Sequence, residues 1–70
     1  MNYNVILQYL EHYFQKKIQI NHIVGVYADG ITLEFLKESI KDSYLVDLSD
    51  LSDIENMKVD LFIKTVAERM

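Results

Sequence analysis

Residues 18–36 read IQINHIVGVYADGITLEFL, and the fold turns on how this stretch pairs. From Ile18 the apolar residues recur at every second position: Ile18, Ile20, Val24, Val26 and Ala28 share one face, with His22 interrupting the set. A period of two is the mark of a half-buried strand. Asp29-Gly30 then supplies a strong hairpin signal, because a two-residue type I′ turn needs positive φ at both central positions. The register that follows agrees with itself. Ala28 falls opposite Ile31, Val26 opposite Leu33 and Val24 opposite Phe35, so six apolar side chains line one face. The other face sets Tyr27 against Thr32, Gly25 against Glu34 and Ile23 against Leu36, and is mixed in character. A competing pattern runs through Leu33, Leu36, Ile40, Tyr44 and Leu48, which have helical spacing. The hairpin is preferred because three matched pairs are hard to obtain by chance.

Upstream, Tyr3, Ile6, Leu7, Leu10, Tyr13 and Phe14 make an apolar stripe at three- and four-residue spacing, opposite Asn2, Gln8, Glu11, His12 and Gln15. Asn2 or Asn4 can cap the start, and Lys16 and Lys17 suit the negative end of the helix dipole. This predicts a helix over about residues 3–17. Downstream, Lys37 to Ser43 reads as a polar turn, and Tyr44, Val46 and Leu48 alternate with Ser43, Leu45 and Asp47 as a third strand. Ser52 and Glu55 have capping-box spacing, with Asp53 placed to favour a positive helix terminus. Val59, Phe62, Ile63, Val66 and Met70 would form the apolar face of the helix that follows, although Val59, Leu61 and Ile63 also alternate. The expected fold is therefore α+β: α-β-β-β-α, a three-stranded antiparallel meander with two helices packed on one face.

Length and composition bound what such a domain can do. Seventy residues form one domain, taken as 1–70. With no cysteine, a disulfide framework and a cysteine-ligated zinc module are both excluded. The longest apolar run falls far short of the roughly 20 residues needed to span a bilayer. The N-terminus lacks the charged start and small-residue cleavage site of a signal peptide, so a cytoplasmic location is expected. Half the residues are hydrophobic. A domain of this size buries only about 60% of the surface its unfolded chain exposes, and small cores are commonly helped by an added staple or a partner.

Residues that carry chemistry are sparse. His12 sits on the polar face of the first helix and His22 within the first predicted strand, and neither forms a metal-type pair with another ligand. Ser39, Ser43, Ser49 and Ser52 lie in turn-like stretches, and none occupies a nucleophile elbow. Gly25 and Gly30 are too isolated to cradle a phosphate; Gly25 suggests a bulge or a close backbone approach. No enzyme, no cofactor and no metal are expected.

The charge is unevenly placed. Of a formal net charge of −4, the whole comes from residues 42–60, where Asp42, Asp47, Asp50, Asp53, Glu55 and Asp60 face Lys58 alone. The three-residue spacing of Asp47, Asp50 and Asp53 does not match an EF-hand loop, which alternates ligands around a central glycine. It reads either as a solvated, helix-capping loop or as an acidic patch that docks on a basic protein surface. Direct nucleic-acid binding is disfavoured, since Lys16-Lys17 is the sole basic pair. Tyrosine is the other interface-type residue, with five in the chain. Tyr9 and Tyr27, with Ile23 and Leu36 on the outer sheet face, are the expected apolar contacts. Asp47, Asp50, Asp53 and Glu55 are the expected charged ones.

In size, acidity and lack of a catalytic constellation the chain resembles the small inhibitors carried by phages and mobile elements, anti-CRISPR proteins among them. The likeness is one of general character and rests on no motif. It implies a non-enzymatic module that inhibits or regulates a larger enzyme, with nucleic-acid-handling enzymes as the first class to consider. The alternative is a homodimeric structural or accessory protein that self-associates through the back of its sheet. No membrane partner is expected.

Overall fold

The computed structural model describes residues 2–70 and corrects the α+β expectation: the domain is all-helical. Three helices, α1 (Asn2–Phe14), α2 (Gly30–Tyr44) and α3 (Val59–Glu68), are joined by segments that hold short 3₁₀ turns at Val24–Val26 and Ile54–Asn56. Among the described residues there is no strand, and the sole β-type pairing is an isolated antiparallel bridge between Ile23 and Lys58.

The Asp29-Gly30 pair does not turn a hairpin. It starts α2. Asp29 is extended (φ −83°, ψ 177°), and its side chain accepts a hydrogen bond from the Thr32 amide at 2.8 Å, the geometry of an N-cap. Gly30 has no positive φ, which a type I′ turn would have required. The helical spacing of Leu33, Leu36 and Ile40 then governs, and all three are buried. Glu34, Leu36, Lys37, Glu38 and Lys41 are good helix formers and carry the helix through the region expected to be a turn. Leu45 ends it in a left-handed conformation (φ 60°, ψ 34°), with its amide donating to the Lys41 carbonyl.

The first helix forms where expected and stops three residues early. Gln15 takes φ 55°; its amide reaches the His12 carbonyl, and the Lys16 amide reaches that of Glu11. This pair of bonds is a Schellman motif, with glutamine in the position that glycine usually fills. The third predicted strand does not form: Ser43 and Tyr44 belong to α2 and Leu45 is left-handed, although beyond it Val46 and Leu48 are buried while Leu45 and Asp47 face solvent. Its alternation is genuine. Its ladder is absent.

The capping box at Ser52 and Glu55 also fails, because the N-cap of α3 is Lys58, six residues after Ser52. Asp53 adopts φ 57° and leads only into the 3₁₀ turn. Lys58, the N-cap of α3, offers no side-chain acceptor. The orphan amides of the first turn are met instead by the chain that the sequence marked as strand: Val59 donates to the His22 carbonyl at 2.8 Å and Asp60 to that of Ile20 at 3.0 Å. The Val24 amide returns to the Met57 carbonyl at 2.8 Å. So residues 20–24 serve as a backbone cap for α3.

The core joins Ile6 and Leu10 of α1, Leu33, Leu36 and Ile40 of α2, and Val59, Phe62, Ile63 and Val66 of α3, closed by Ile18, Val24, Val46, Leu48 and Ile54 from the connections. The inner face expected for the last helix is correct apart from Met70, which is exposed. Gly25 is the predicted close approach. A Cβ there would lie 2.7 Å from the Glu55 carbonyl oxygen, and the absence of one lets the two 3₁₀ turns meet.

Candidate protein-binding surface

The acidic segment is largely committed to holding the fold. Arg69 grips Asp50 with both guanidinium nitrogens, at 2.7 and 3.0 Å, while Nη1 also donates to the Asp47 carbonyl at 3.0 Å. The paired hydrogen bond holds the Asp50 carboxyl below its usual range and raises Arg69 in turn. Asp47 accepts from the Ser49 amide at 2.9 Å, which lowers its carboxyl as well. Asp53 accepts from the Asn56 side-chain amide at 2.6 Å. Glu55 lies exposed with its carboxylate beside Gly30, where the positive end of α2 favours it. Arg69 ties the 45–56 connection to the end of α3 and Glu55 meets the start of α2, while the Asp47 and Asp53 carboxylates hold turns within the connection itself.

The apolar candidates divide. Leu36 is fully buried, since α2 turns it inward with Leu33 and Ile40, and it cannot meet a partner in the folded protein. With it goes the sheet back face proposed for a homodimer. Tyr9 is half-buried: its hydroxyl hydrogen-bonds Ser39 and its ring meets Tyr13 and Tyr44, fastening α1 to α2. Tyr27 stacks between Phe14 and His22, and its hydroxyl accepts from the Gln19 amide at 2.7 Å. Ile23 is exposed beside Lys58, held there by the bridge between the two backbones.

Of the residues that the hairpin register set on the core face, Ile20, Val26, Ile31 and Phe35 lie outside the core, and the last two stand together on α2. Ile31 is 73% exposed and Phe35 65% exposed. They are four apart on α2 and therefore adjacent on its surface, with Glu38 and Asp42 continuing the same ridge at seven and eleven residues from Ile31. All four face solvent, and Glu34 flanks them. An open groove of about 300 Å³ runs beside Phe35 and is bordered by Glu34, Glu38, Lys41, Asp47 and Leu48. Lys37 also reaches it, but its ammonium is held by Glu34 at 3.2 Å and by the Leu51 carbonyl at 3.0 Å. The ridge thus sets an apolar pair beside the carboxylates of Glu34, Glu38, Asp42 and Asp47, which outnumber Lys37 and the exposed Lys41. The helical spacing of Leu33, Leu36 and Ile40 implies this surface: once those three face inward, Ile31 and Phe35 must face out.

Comparison with known protein families, with curated proteins and with solved structures gives no match. The reading of this surface rests on its geometry alone. Among the described residues no helix is long and apolar enough to cross a membrane, and no three His, Asp or Glu side chains converge as a metal cage would require.

Proposed function

We propose that the chain is a small, acidic, non-enzymatic protein-binding module that inhibits or regulates a larger enzyme by docking on it. The observation that carries this is the outer face of α2, where Ile31 and Phe35 stand exposed among carboxylates although the core is complete without them. A large aromatic on an exposed helical ridge is the kind of residue that anchors an interface, and the surrounding acids would steer approach to a basic surface. The general likeness to inhibitors carried by phages and mobile elements makes a nucleic-acid-handling enzyme the first target class to test.

The test is capture with tagged protein from a bacterial lysate, washed in parallel at low and high salt, followed by assay of the captured enzyme with and without added protein. An enzyme retained at low salt, released at high salt and slowed by the added chain supports the reading. Recovery of only the untagged copy of the bait would replace it with self-association.

A further inference from the structure

We infer that the docking surface is the α2 ridge of Ile31, Phe35, Glu38 and Asp42, and that its occupant is a protein surface whose apolar pocket is rimmed by lysine or arginine. This rests on the protein-binding reading and narrows it to one face and one partner chemistry.

Three observations select the ridge over the aspartate run that the sequence favoured. Asp50 is already neutralised by Arg69, and Asp47 and Asp53 each spend an oxygen on a neighbour within three residues. Glu38 and Asp42 are exposed and enter no ion pair among the described residues, so their charge faces solvent. Phe35 lies at the lip of the groove, next to Glu34 and Glu38, so one incoming surface can cover the ring and meet the carboxylates together.

Charge decides the occupant. A second copy would bring the same acids against themselves, on a chain whose net charge is already −4. A cationic rim removes that repulsion and pairs the carboxylates, while the apolar pocket removes Ile31 and Phe35 from water.

The probe is an amphipathic helical peptide with a leucine face flanked by lysines, titrated into ¹⁵N-labelled protein. A control peptide of equal charge has its leucines replaced by serine. The expected result is amide shifts centred on residues 31–42, weak or absent with the control, and an affinity lowered about 30-fold or more by Phe35→Ala. Glu38→Lys should weaken binding and flatten its salt dependence. Phe35 is exposed, so its alanine variant keeps the fold, and circular dichroism checks that directly. Shifts centred on residues 47–53, or no binding at all, would overturn the assignment. So would a concentration-dependent dimer in sedimentation that Phe35→Ala dissolves, since the occupant would then be a second copy. The two readings fail separately: an enzyme captured from lysate equally well by the wild type and by Phe35→Ala leaves the binding module standing and removes only the ridge.

Discussion

Adjacent residues give the sharpest test of the fold. A strand through 31–36 would point Phe35 into the core and Leu36 outward, whereas α2 buries Leu36 completely and leaves Phe35 65% exposed. Truncating a fully buried leucine removes its transfer free energy and leaves a cavity, a loss of about 2–5 kcal/mol. A core this small supplies roughly 3–5 kcal/mol in total. Leu36→Ala should therefore lower the thermal midpoint by at least ~8 °C, at about 4–8 °C per kcal/mol for a domain of this size, and can unfold the protein outright. Phe35→Ala should change stability by no more than ~0.5 kcal/mol, helped by the high helix propensity of alanine. The assay is urea and thermal unfolding of both variants, followed by circular dichroism in the helical band. A larger loss for Phe35→Ala than for Leu36→Ala would refute the helical register and restore the hairpin.

Gly25→Ala should cost about 1–3 kcal/mol in the same urea assay, because its Cβ would meet the Glu55 backbone oxygen at 2.7 Å and the two turns would have to part. Gly30→Ala, whose nearest neighbour is the movable tip of the Glu55 side chain at 3.3 Å, should be close to neutral. Asp29, Asp47, Asp50 and Asp60 all have carboxyls held below their ordinary range, by the Thr32 amide, the Ser49 amide, Arg69 and the Tyr3 hydroxyl respectively. A lowered folded-state value gives stability that is present above about pH 4 and lost as pH falls through the folded-state value, so unfolding midpoints should fall below pH 4, and by less in Arg69→Met. Tyr3 is pushed up to about 12 by lost hydration and by its 2.5 Å hydrogen bond to Asp60. An ultraviolet titration should show one tyrosine ionising late, absent in Tyr3→Phe, with the stability it contributes present below pH ~10 and lost as pH rises toward 12.

What the sequence made legible follows from where local and tertiary demands agree. Helix α1 is legible because Ile6 and Leu10 lie on one helical stripe with mostly polar residues opposite; the inner face of α3 is legible in Val59, Phe62, Ile63 and Val66 even though Leu61 adds a competing alternation. The Gly25 approach was readable because a lone glycine inside an apolar run has few other uses. The start of α3 was not readable: its cap is supplied by the carbonyls of Ile20 and His22, far away in sequence, while Ser52 and Glu55 only imitate a local cap. The acidic run is plain in the sequence as charge, but the partner of Asp50, Arg69, lies 19 residues on and is invisible to local spacing. Leu36, placed on an outer sheet face by register, became core once the register ceased to exist.

The central error and the candidate site share one cause. Had Ile31 and Phe35 been polar, residues 30–44 would show a clean amphipathic helix with Leu33, Leu36 and Ile40 inward, and Asp29 would read at once as its cap. Their side chains manufacture the alternation that mimics a strand. The fold does not need them there, since both are exposed while the core closes around other residues. A folded domain gains nothing in stability from an exposed phenylalanine beside an exposed isoleucine, and such local disagreement with an otherwise consistent pattern tends to fall at functional positions. The residues that obscure the helix in the sequence are therefore those with the strongest claim to a role outside the fold.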